Sequence, residues 1–543
     1  METLFDALAA AAETDGDRPF LATPPRPGRG YLEGGSEWTY GQVHAWAKAL
    51  SERYAAAGWG PGHRVALALD NHPAHIVHFL ALTRIGVGQV PVNPWYLRHE
   101  LEYLLEHSEA DMAVALPWNR AKLAEAGGLP IADWDDLTDP AHFAPPRPPR
   151  PARDEKPWRG SEIALVYTSG TTSRPKGCIL DNTYAFEVGA CYAEIGGALT
   201  LDRGRERIFN PLPLFHVNAG VNTIGAALLT RICLIIPDRF HPDSWWEDLA
   251  VTRATAMHYL GIIPPVLLKA PPGPRDRGHG LKFGLGAGLD PTIHAAFEER
   301  FGLPMVEVWG MTETGRFLGD VHAPRLIHTR AFGRPQPGRI EARVVDAEDR
   351  EVPPGTEGEL VVRHSAENPR FGFFRGYLKN EAATEQAWRG GWFHTGDVVA
   401  QDDTGMLYFV ERAKNIIRRS GENISAAEVE DALIDHPAVH RVAVTAVADE
   451  LRDEEVFACI VAAEGHPPTL ETAEAVLRFA AGRIAYYKAP AWVAFIDELP
   501  VTGTQKVQKH RLFPEGTDPR EDPRAIDLRE AKAALRRREE ART

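Results

Sequence analysis

Residues 168–177 read Thr-Ser-Gly-Thr-Thr-Ser-Arg-Pro-Lys-Gly, and they combine what a multiply charged anion requires. Gly170 and Gly177 permit tight turns, Thr168, Ser169, Thr171, Thr172 and Ser173 offer hydroxyl donors, and Lys176 adds positive charge. Fed by the apolar strand pattern of residues 163–167, such a loop could cradle phosphates. It is not a Walker A loop. That motif sets lysine directly after glycine and before a hydroxyl, whereas Lys176 follows Pro175 and precedes Gly177. Alone, a polar glycine-containing loop reads as ordinary surface, so its weight comes from its companions.

Those companions follow in order. Trp309, Gly310, Met311, Thr312 and Glu313 close an apolar strand pattern, and Gly-Trp-Phe-His-Thr-Gly-Asp ends on Asp397. Residues 411–425 read Glu-Arg-Ala-Lys-Asn-Ile-Ile-Arg-Arg-Ser-Gly-Glu-Asn-Ile-Ser, and residues 500–509 read Pro-Val-Thr-Gly-Thr-Gln-Lys-Val-Gln-Lys. With the first loop they resemble, in the same order, the motifs of the adenylate-forming superfamily. That superfamily includes acyl-CoA synthetases, coumarate-CoA ligases, luciferases and nonribosomal-peptide adenylation domains. The segment after Ile417 is most similar to the crotonobetaine/carnitine-CoA ligase-like branch. One departure is visible: Gln505 stands where the family commonly has glycine, leaving Lys506 as the matching lysine.

The resemblance implies an ATP- and Mg²⁺-dependent acyl-CoA ligase. An acid attacks the α-phosphate of ATP, pyrophosphate leaves, and the CoA thiol then displaces AMP. The first step brings two anions together, so metal and cationic side chains must screen them in a site that excludes water. On the resemblance, Thr168, Ser169, Gly170, Thr171, Thr172 and Lys176 wrap the β and γ phosphates, Glu313 holds Mg²⁺ and Thr312 contacts the α-phosphate. Trp309, where relatives mostly carry Tyr or Phe, offers a face to adenine, and Gly310 and Met311 belong to the same nucleotide site. Gly286, Ala287 and Gly288 let backbone approach the base and the acyl group. Asp397 accepts the ribose hydroxyls with Arg412 in support, and Lys506 reaches the carboxylate and bridging oxygen.

Residues 211–220 resemble the segment lining the acyl pocket, with His216 at a gating position, a structural histidine being the competing reading. Asn218, Asn222 and Thr223 make that pocket polar and suggest a functionalised acid rather than a plain alkyl chain. The resemblance also implies a small domain that rotates about Lys414, with Gly421 then facing the pantetheine tunnel. Three alternatives stay open: a stand-alone enzyme loading a carrier protein, a luciferase-like oxidase of an acyl-adenylate, and a nucleotide-binding regulator that has lost its chemistry. Retention of Glu313 and Lys506 speaks against the regulator.

The elements that must hold these residues form an α/β fold. A helical pattern over Tyr40–Ala57 leads into a strand from Arg64, and residues 282–309 read strand, glycine turn, helix and strand, with Asp290 as N-cap and Pro291 in the first helical position. Parallel sheet is the economical arrangement. The proline-rich residues 144–152 read as an extended linker between lobes, a ligand for an SH3-type domain being the alternative. The boundaries expected are 1–411 for a large N-terminal domain of layered sheets and helices that binds AMP and the acyl group, 412–518 for a small mobile α+β domain and 519–543 for a charged tail. In the small domain, Ser425 and Glu428 spell a capping box. Strands are expected over 441–447, 456–462 and 492–496, and a helix over 470–485. The tail reads as solvated.

At 543 residues the chain exceeds one domain's usual size, and its 44% apolar and 25% charged composition is that of a globular protein. No stretch approaches the roughly 20 apolar residues of a membrane span. A formal charge of −15 disfavours nucleic acid as a partner. Four cysteines, none at CxxC spacing, argue against a structural zinc and suit a reducing compartment. Acids near the N-terminus, where a signal peptide needs basic charge, suggest the cytoplasm. A homodimer stays open.

Overall fold

The structure, a computed structural model, describes residues 1–134, 140–168, 175–261, 263–412, 416–500, 507, 509–514 and 517–540. The chain forms two compact units. One comprises residues 1–94, 102–167 and 177–411, and the other residues 95–101, 168–176 and 412–543.

In the first unit, among the described residues, eight strands form a sheet in which Met305–Gly310, Phe283–Ala287, Ala256–Leu260, Arg207–Phe209, Cys233–Ile235 and Pro19–Thr23 run parallel. A seven-stranded sheet of described residues includes Arg64–Ala68, flanked in parallel by Gly88–Pro91 and Met112–Ala115. Five antiparallel strands, including Glu357–Arg363 and Phe393–Gln401, make a third sheet. The helices Leu4–Asp15, Tyr40–Ala57, Pro73–Arg84, Asn182–Glu194 and Thr223–Thr230 share one core with Leu21, Ile208 and Leu234 of the first sheet and Val65, Leu67 and Val114 of the second. Burying apolar side chains from both sheets against one helical layer fixes their spacing. Tyr40–Ala57 begins in a capping box between Thr39 and Gln42 and stops at Gly58, whose φ of +102° no other residue adopts easily.

The expected strand, glycine turn, helix and strand is present: Phe283–Ala287 and Met305–Gly310 pair in parallel around the helix Pro291–Phe301, and the Asp290 carboxylate accepts the Thr292 N–H at 2.8 Å. The proline-rich segment differs from its reading as a link between lobes. It connects Ile131–Asp133 to Glu162–Thr168, strands of one sheet, and is strapped down where the Trp59 indole donates to the Pro146 carbonyl (2.8 Å) and Arg150 to Asp111. Prolines cannot donate, but their carbonyls still accept.

In the second unit, Val439–Asp449 pairs with Asp453–Ala462, which continues to Trp492–Phe495 and Ala525–Asp527. The helices Ala426–Ile434 and Leu470–Ala481 pack beneath. The charged tail is no solvated appendage: Ala525–Asp527 adds an edge strand, Leu528 is buried, and the helix Arg529–Glu540 turns Ala531 and Leu535 to the core. Lys532 is 2% exposed because its ammonium meets Glu455 Oε2 at 2.7 Å, with Arg419 Nε on the other carboxylate oxygen at 2.5 Å. The capping box is half made. Ser425 Oγ accepts the Glu428 N–H (3.3 Å), but the Glu428 carboxylate turns to Lys488 Nζ (2.7 Å), which also meets Glu100 (2.6 Å).

Candidate active site

The strand Met305–Gly310 ends the parallel part of its sheet and delivers Trp309 to the core, where it is 4% exposed. Its indole N–H donates to Asp397 Oδ2 at 2.8 Å, and its ring lies 6.0 Å from that of Phe332. Asp397 comes from Phe393–Gln401, at a turn whose geometry is set by Glu359 on the neighbouring strand. One Glu359 oxygen accepts the Gly396 N–H (2.9 Å) and the other meets His394 Nδ1 (3.0 Å). Gly396 is left-handed at φ +70°, which explains a glycine between Thr395 and Asp397. The Thr395 hydroxyl donates to the Leu360 carbonyl (2.6 Å) and accepts the Asp397 N–H (3.1 Å). Glu359, which no motif singles out, holds the segment that carries the expected site residue Asp397 through Gly396 and His394.

Beyond Trp309 the chain turns through residues 310–316. Gly310 is exposed, Met311 and Thr312 are half-buried, and Glu313 is 7% exposed. The Thr314 hydroxyl ties this turn by accepting the Met311 N–H (3.2 Å). The Glu313 backbone carbonyl accepts the Phe374 N–H (2.9 Å), and its carboxylate Oε1 accepts the Tyr377 O–H at 2.9 Å. Burial and the adjacent carboxylate push the Tyr377 phenol well above its ordinary range, so it stays a donor. Tyr377 lies on Gly376–Tyr377, paired to Cys178 just after Gly177, and Leu378 N–H donates to the Gly177 carbonyl (2.8 Å). Glu313 is thus held, through Tyr377, beside the strand Lys176–Asp181. Tyr377 carries no motif signal and was not foreseen.

Among the described residues no three metal-ligating side chains gather. A lone buried carboxylate with one oxygen already oriented suits Mg²⁺, which takes one or two protein carboxylates and completes its shell with phosphate and water oxygens. Glu313 would hold it, and the ion would supply charge screening for the phosphates.

The segment expected to line an acyl pocket opens into a π-helical turn, Asn218–Asn222, a local feature that often marks function. Asn218 does not face outward as a free polar group. Its Oδ1 takes Asn210 Nδ2 (3.1 Å) and His258 Nδ1 (2.9 Å), and its backbone carbonyl takes the Thr223 hydroxyl (2.7 Å). Burial drops His258 to about 3, so the ring is neutral. Thr223 is fully buried, and Asn222 Oδ1, buried too, has no hydrogen-bond partner among the described residues. The His216 ring lies 4.6 Å from that of Phe215.

Two family models match the chain: "AMP-binding enzyme" over residues 8–378 and "AMP-binding enzyme C-terminal domain" over 428–506. The chain belongs to the AMP-binding enzymes. It is 31% identical to a sulfoacetate–CoA ligase of Cupriavidus necator over 534 residues, 94% of this chain and 97% of the relative. A crotonobetaine/carnitine–CoA ligase of Proteus mirabilis is 28% identical, with 88% and 93% covered. Among solved structures, a malonyl-CoA ligase with methylmalonyl-CoA and AMP bound superposes with a TM-score of 0.73 at 27% identity, covering 91% of this chain and all of the other. The amide bond synthetase McbA from Marinactinospora thermotolerans gives 0.77 at 25% identity, with 94% and 98% covered. These comparisons bear out the adenylate-forming resemblance and the α/β fold with a large N-terminal and a small C-terminal domain. With its family, this AMP-binding enzyme is an AMP-forming acid–thiol ligase that uses ATP and CoA.

The remaining expected site residues of this AMP-binding enzyme are distributed as follows. Thr168 ends the strand Glu162–Thr168 and Lys176 begins Lys176–Asp181, while Ser169, Gly170, Thr171 and Thr172 lie outside the described residues. Lys506 and Lys414, the expected hinge residue, lie outside them too. Arg412 ends the strand Leu407–Arg412. Gly421 forms, with Ser420, the two-residue turn of a hairpin between Ile416–Arg419 and Glu422–Ser425, with φ of +52° at Ser420 and +91° at Gly421. In the first unit, Gly286 pairs with Tyr259 and Glu307 on the adjacent strands. A Cβ there would stand 2.2 Å from the Tyr259 carbonyl oxygen, so only glycine fits.

Proposed function

We propose that this AMP-binding enzyme activates a small, polar carboxylic acid and passes it to CoA through one site. Asp397 and Arg412 hold the ribose, Trp309, Gly310 and Met311 wall the base, and Thr168, Ser169, Gly170, Thr171, Thr172 and Lys176 hold the phosphates. Thr312 contacts the α-phosphate, Glu313 carries Mg²⁺ and Lys506 screens charge as the acid attacks. His216 stands at the acyl entrance. The small domain, which runs from residue 412 and includes the C-terminal strand and helix, turns about Lys414 and presents Gly421 to CoA.

The observation that carries this reading is the hydrogen bond between Trp309 and Asp397. It ties two motifs far apart in the chain into one buried constellation beside the Glu313 turn. The polarity of the acid is supported by Asn222 and by the relatives' substrates, sulfoacetate, crotonobetaine and carnitine among them. For the cytoplasm, all four cysteines are free and buried, and no helix of the described residues is long and apolar enough to cross a membrane.

The test is pyrophosphate release across a panel of short sulfonated, zwitterionic, dicarboxylic and alkyl acids, with and without CoA. A polar acid should give CoA-dependent thioester and AMP. Turnover confined to alkyl acids would reject the pocket assignment, and thioester formation confined to a carrier protein would reject CoA as acceptor.

A further inference from the structure

On the strand Met305–Gly310, two residues before Trp309, the Glu307 side chain gathers three donors. Its carboxylate accepts the Gly288 N–H, the Leu289 N–H (3.2 Å) and the Tyr259 O–H (3.1 Å). The register explains how. Tyr259, Gly286 and Glu307 stand in one row across three adjacent parallel strands. The middle position has no side chain, and a Cβ there would meet the Tyr259 ring at 2.6 Å, so the ring lies across the glycine and its hydroxyl reaches the carboxylate. Gly288 is left-handed at φ +83°, and its carbonyl oxygen would stand 2.5 Å from a Cβ placed on Gly261. The turn after Phe283–Ala287 is therefore gripped from both neighbouring strands before Asp290 starts the next helix.

A carboxylate is a costly way to hold a turn. Burial opposes its charge and raises the Glu307 carboxyl to about 7 despite the hydrogen bonds. The titratable groups that act on it are Tyr259 of the strand Ala256–Leu260 and His294 of the helix Pro291–Phe301, while Glu298 and Arg325 act on Tyr259. Glu298 is engaged with Arg325 at 2.7 Å and His294 with the Met305 carbonyl at 2.9 Å, so neither supplies the turn's donors with an acceptor.

We propose that Glu307 is a positioning residue for adenylate formation, fixing the backbone of residues 286–288 relative to Trp309. The inference rests on the proposed reading of residues 286–288 as the surface that meets the base and the acyl group. A turn displaced by an ångström would misalign acid and α-phosphate, a displacement that costs about 100-fold in comparable settings.

Glu307→Gln keeps the size but turns one acceptor into an NH₂ that faces a donor. We expect kcat/KM for pyrophosphate release to fall about 10- to 100-fold, with KM raised for both ATP and acid and the melting temperature within a few degrees of the parent. Tyr259→Phe, which removes one of the three donors, should lose less. The pH profile adds a readout that mere support of the fold would not move: an ionisation near neutrality present in the parent and in His294→Gln, and missing from Glu307→Gln. Parental kcat/KM with the ionisation retained in Glu307→Gln overturns the proposal. Should that variant fail to fold, parental kinetics in Tyr259→Phe overturn it instead. A parent enzyme that releases no pyrophosphate with any acid would strike the proposed function itself, a failure visible before any variant is made.

Discussion

The indole N–H of Trp309 donates to Oδ2 of Asp397 at 2.8 Å, joining residues 88 positions apart in the chain. A tyrosine or phenylalanine at that position has no ring N–H to give. Trp309→Phe should therefore keep the proposed wall of the site and lose its tie to Asp397, the proposed ribose acceptor. A hydrogen bond to a charged group contributes about 1.5–3 kcal/mol. We expect KM for ATP to rise by about 10-fold or more, with KM for the acid changed much less. Equal rises in both would mean that the tryptophan acts through general packing.

Glu313 and Tyr377 make the second pair, 2.9 Å apart. Glu313→Gln keeps size and removes the charge, so pyrophosphate release should fall steeply and need far more Mg²⁺. Tyr377→Phe removes one hydroxyl and should move the Mg²⁺ requirement the same way by about 3- to 10-fold, the worth of one neutral hydrogen bond. Binding of Mn²⁺ in the presence of a non-hydrolysable ATP analogue, followed by its electron paramagnetic resonance signal, should weaken in both variants. Early melting with parental metal curves would make this pair structural.

How far the sequence led depends on the range of each interaction. The strand, turn and helix over residues 282–301 were legible because their signals are local: Asp290 caps, Pro291 starts the helix, and alternate apolar residues mark the strands. The family was legible through the resemblance of its motifs. Glu359, Tyr377 and Glu307 were not, since each acts on a partner brought close by folding, Tyr377 on Glu313 across 64 residues. The Ser425 box was half right: Glu428 serves the cap with its N–H, while its carboxylate answers to Lys488, 60 residues away. The helix Arg529–Glu540 looked like a solvated tail because so many of its residues are charged, and the packing of Ala531 and Leu535 and the meeting of Lys532 with Glu455 reverse that reading.

The proposed roles of Lys506 and Lys414 fall on different half-steps of the reaction. Lys506→Ala should nearly abolish adenylation yet spare thioester formation from supplied acyl-AMP, because its charge is needed as the acid attacks. Lys414→Pro should leave acyl-AMP synthesis largely intact and stall the second half-step, since proline fixes φ where the backbone must turn. Single-turnover assays of each half-reaction separate these outcomes. Equal loss in both half-reactions for Lys506→Ala would withdraw its role, and normal CoA turnover in Lys414→Pro would remove it from the hinge.

The buried charges of the second unit give a prediction about pH. Lys532, Glu455 and Arg419 place two cations on one carboxylate, while Glu100, Lys488 and Glu428 place two carboxylates on one cation. Burial raises the Glu428 carboxyl above its ordinary range with Glu100 adding to the rise, and burial with Arg419 lowers the Lys532 ammonium to about 7. The sign for Lys532 follows from proton counts. Between about 7 and the ordinary lysine value of 10.5 the unfolded chain keeps a proton that the folded chain has released, so this residue makes stability rise with pH across that window. Below pH 7 both states hold the proton and the folded state carries the full penalty of a buried charge. Lys532→Met keeps the length, leaves Arg419 and Glu455 paired, and removes that penalty. Replacing buried charges by apolar groups of similar volume is often neutral or stabilising by about 1–4 kcal/mol. The variant should thus melt above the parent at pH 6.5, and its advantage should shrink toward pH 10. Melting curves at four or five pH values between those limits check it: a difference between parent and variant that is constant with pH would show that Lys532 keeps an ordinary ionisation despite its burial.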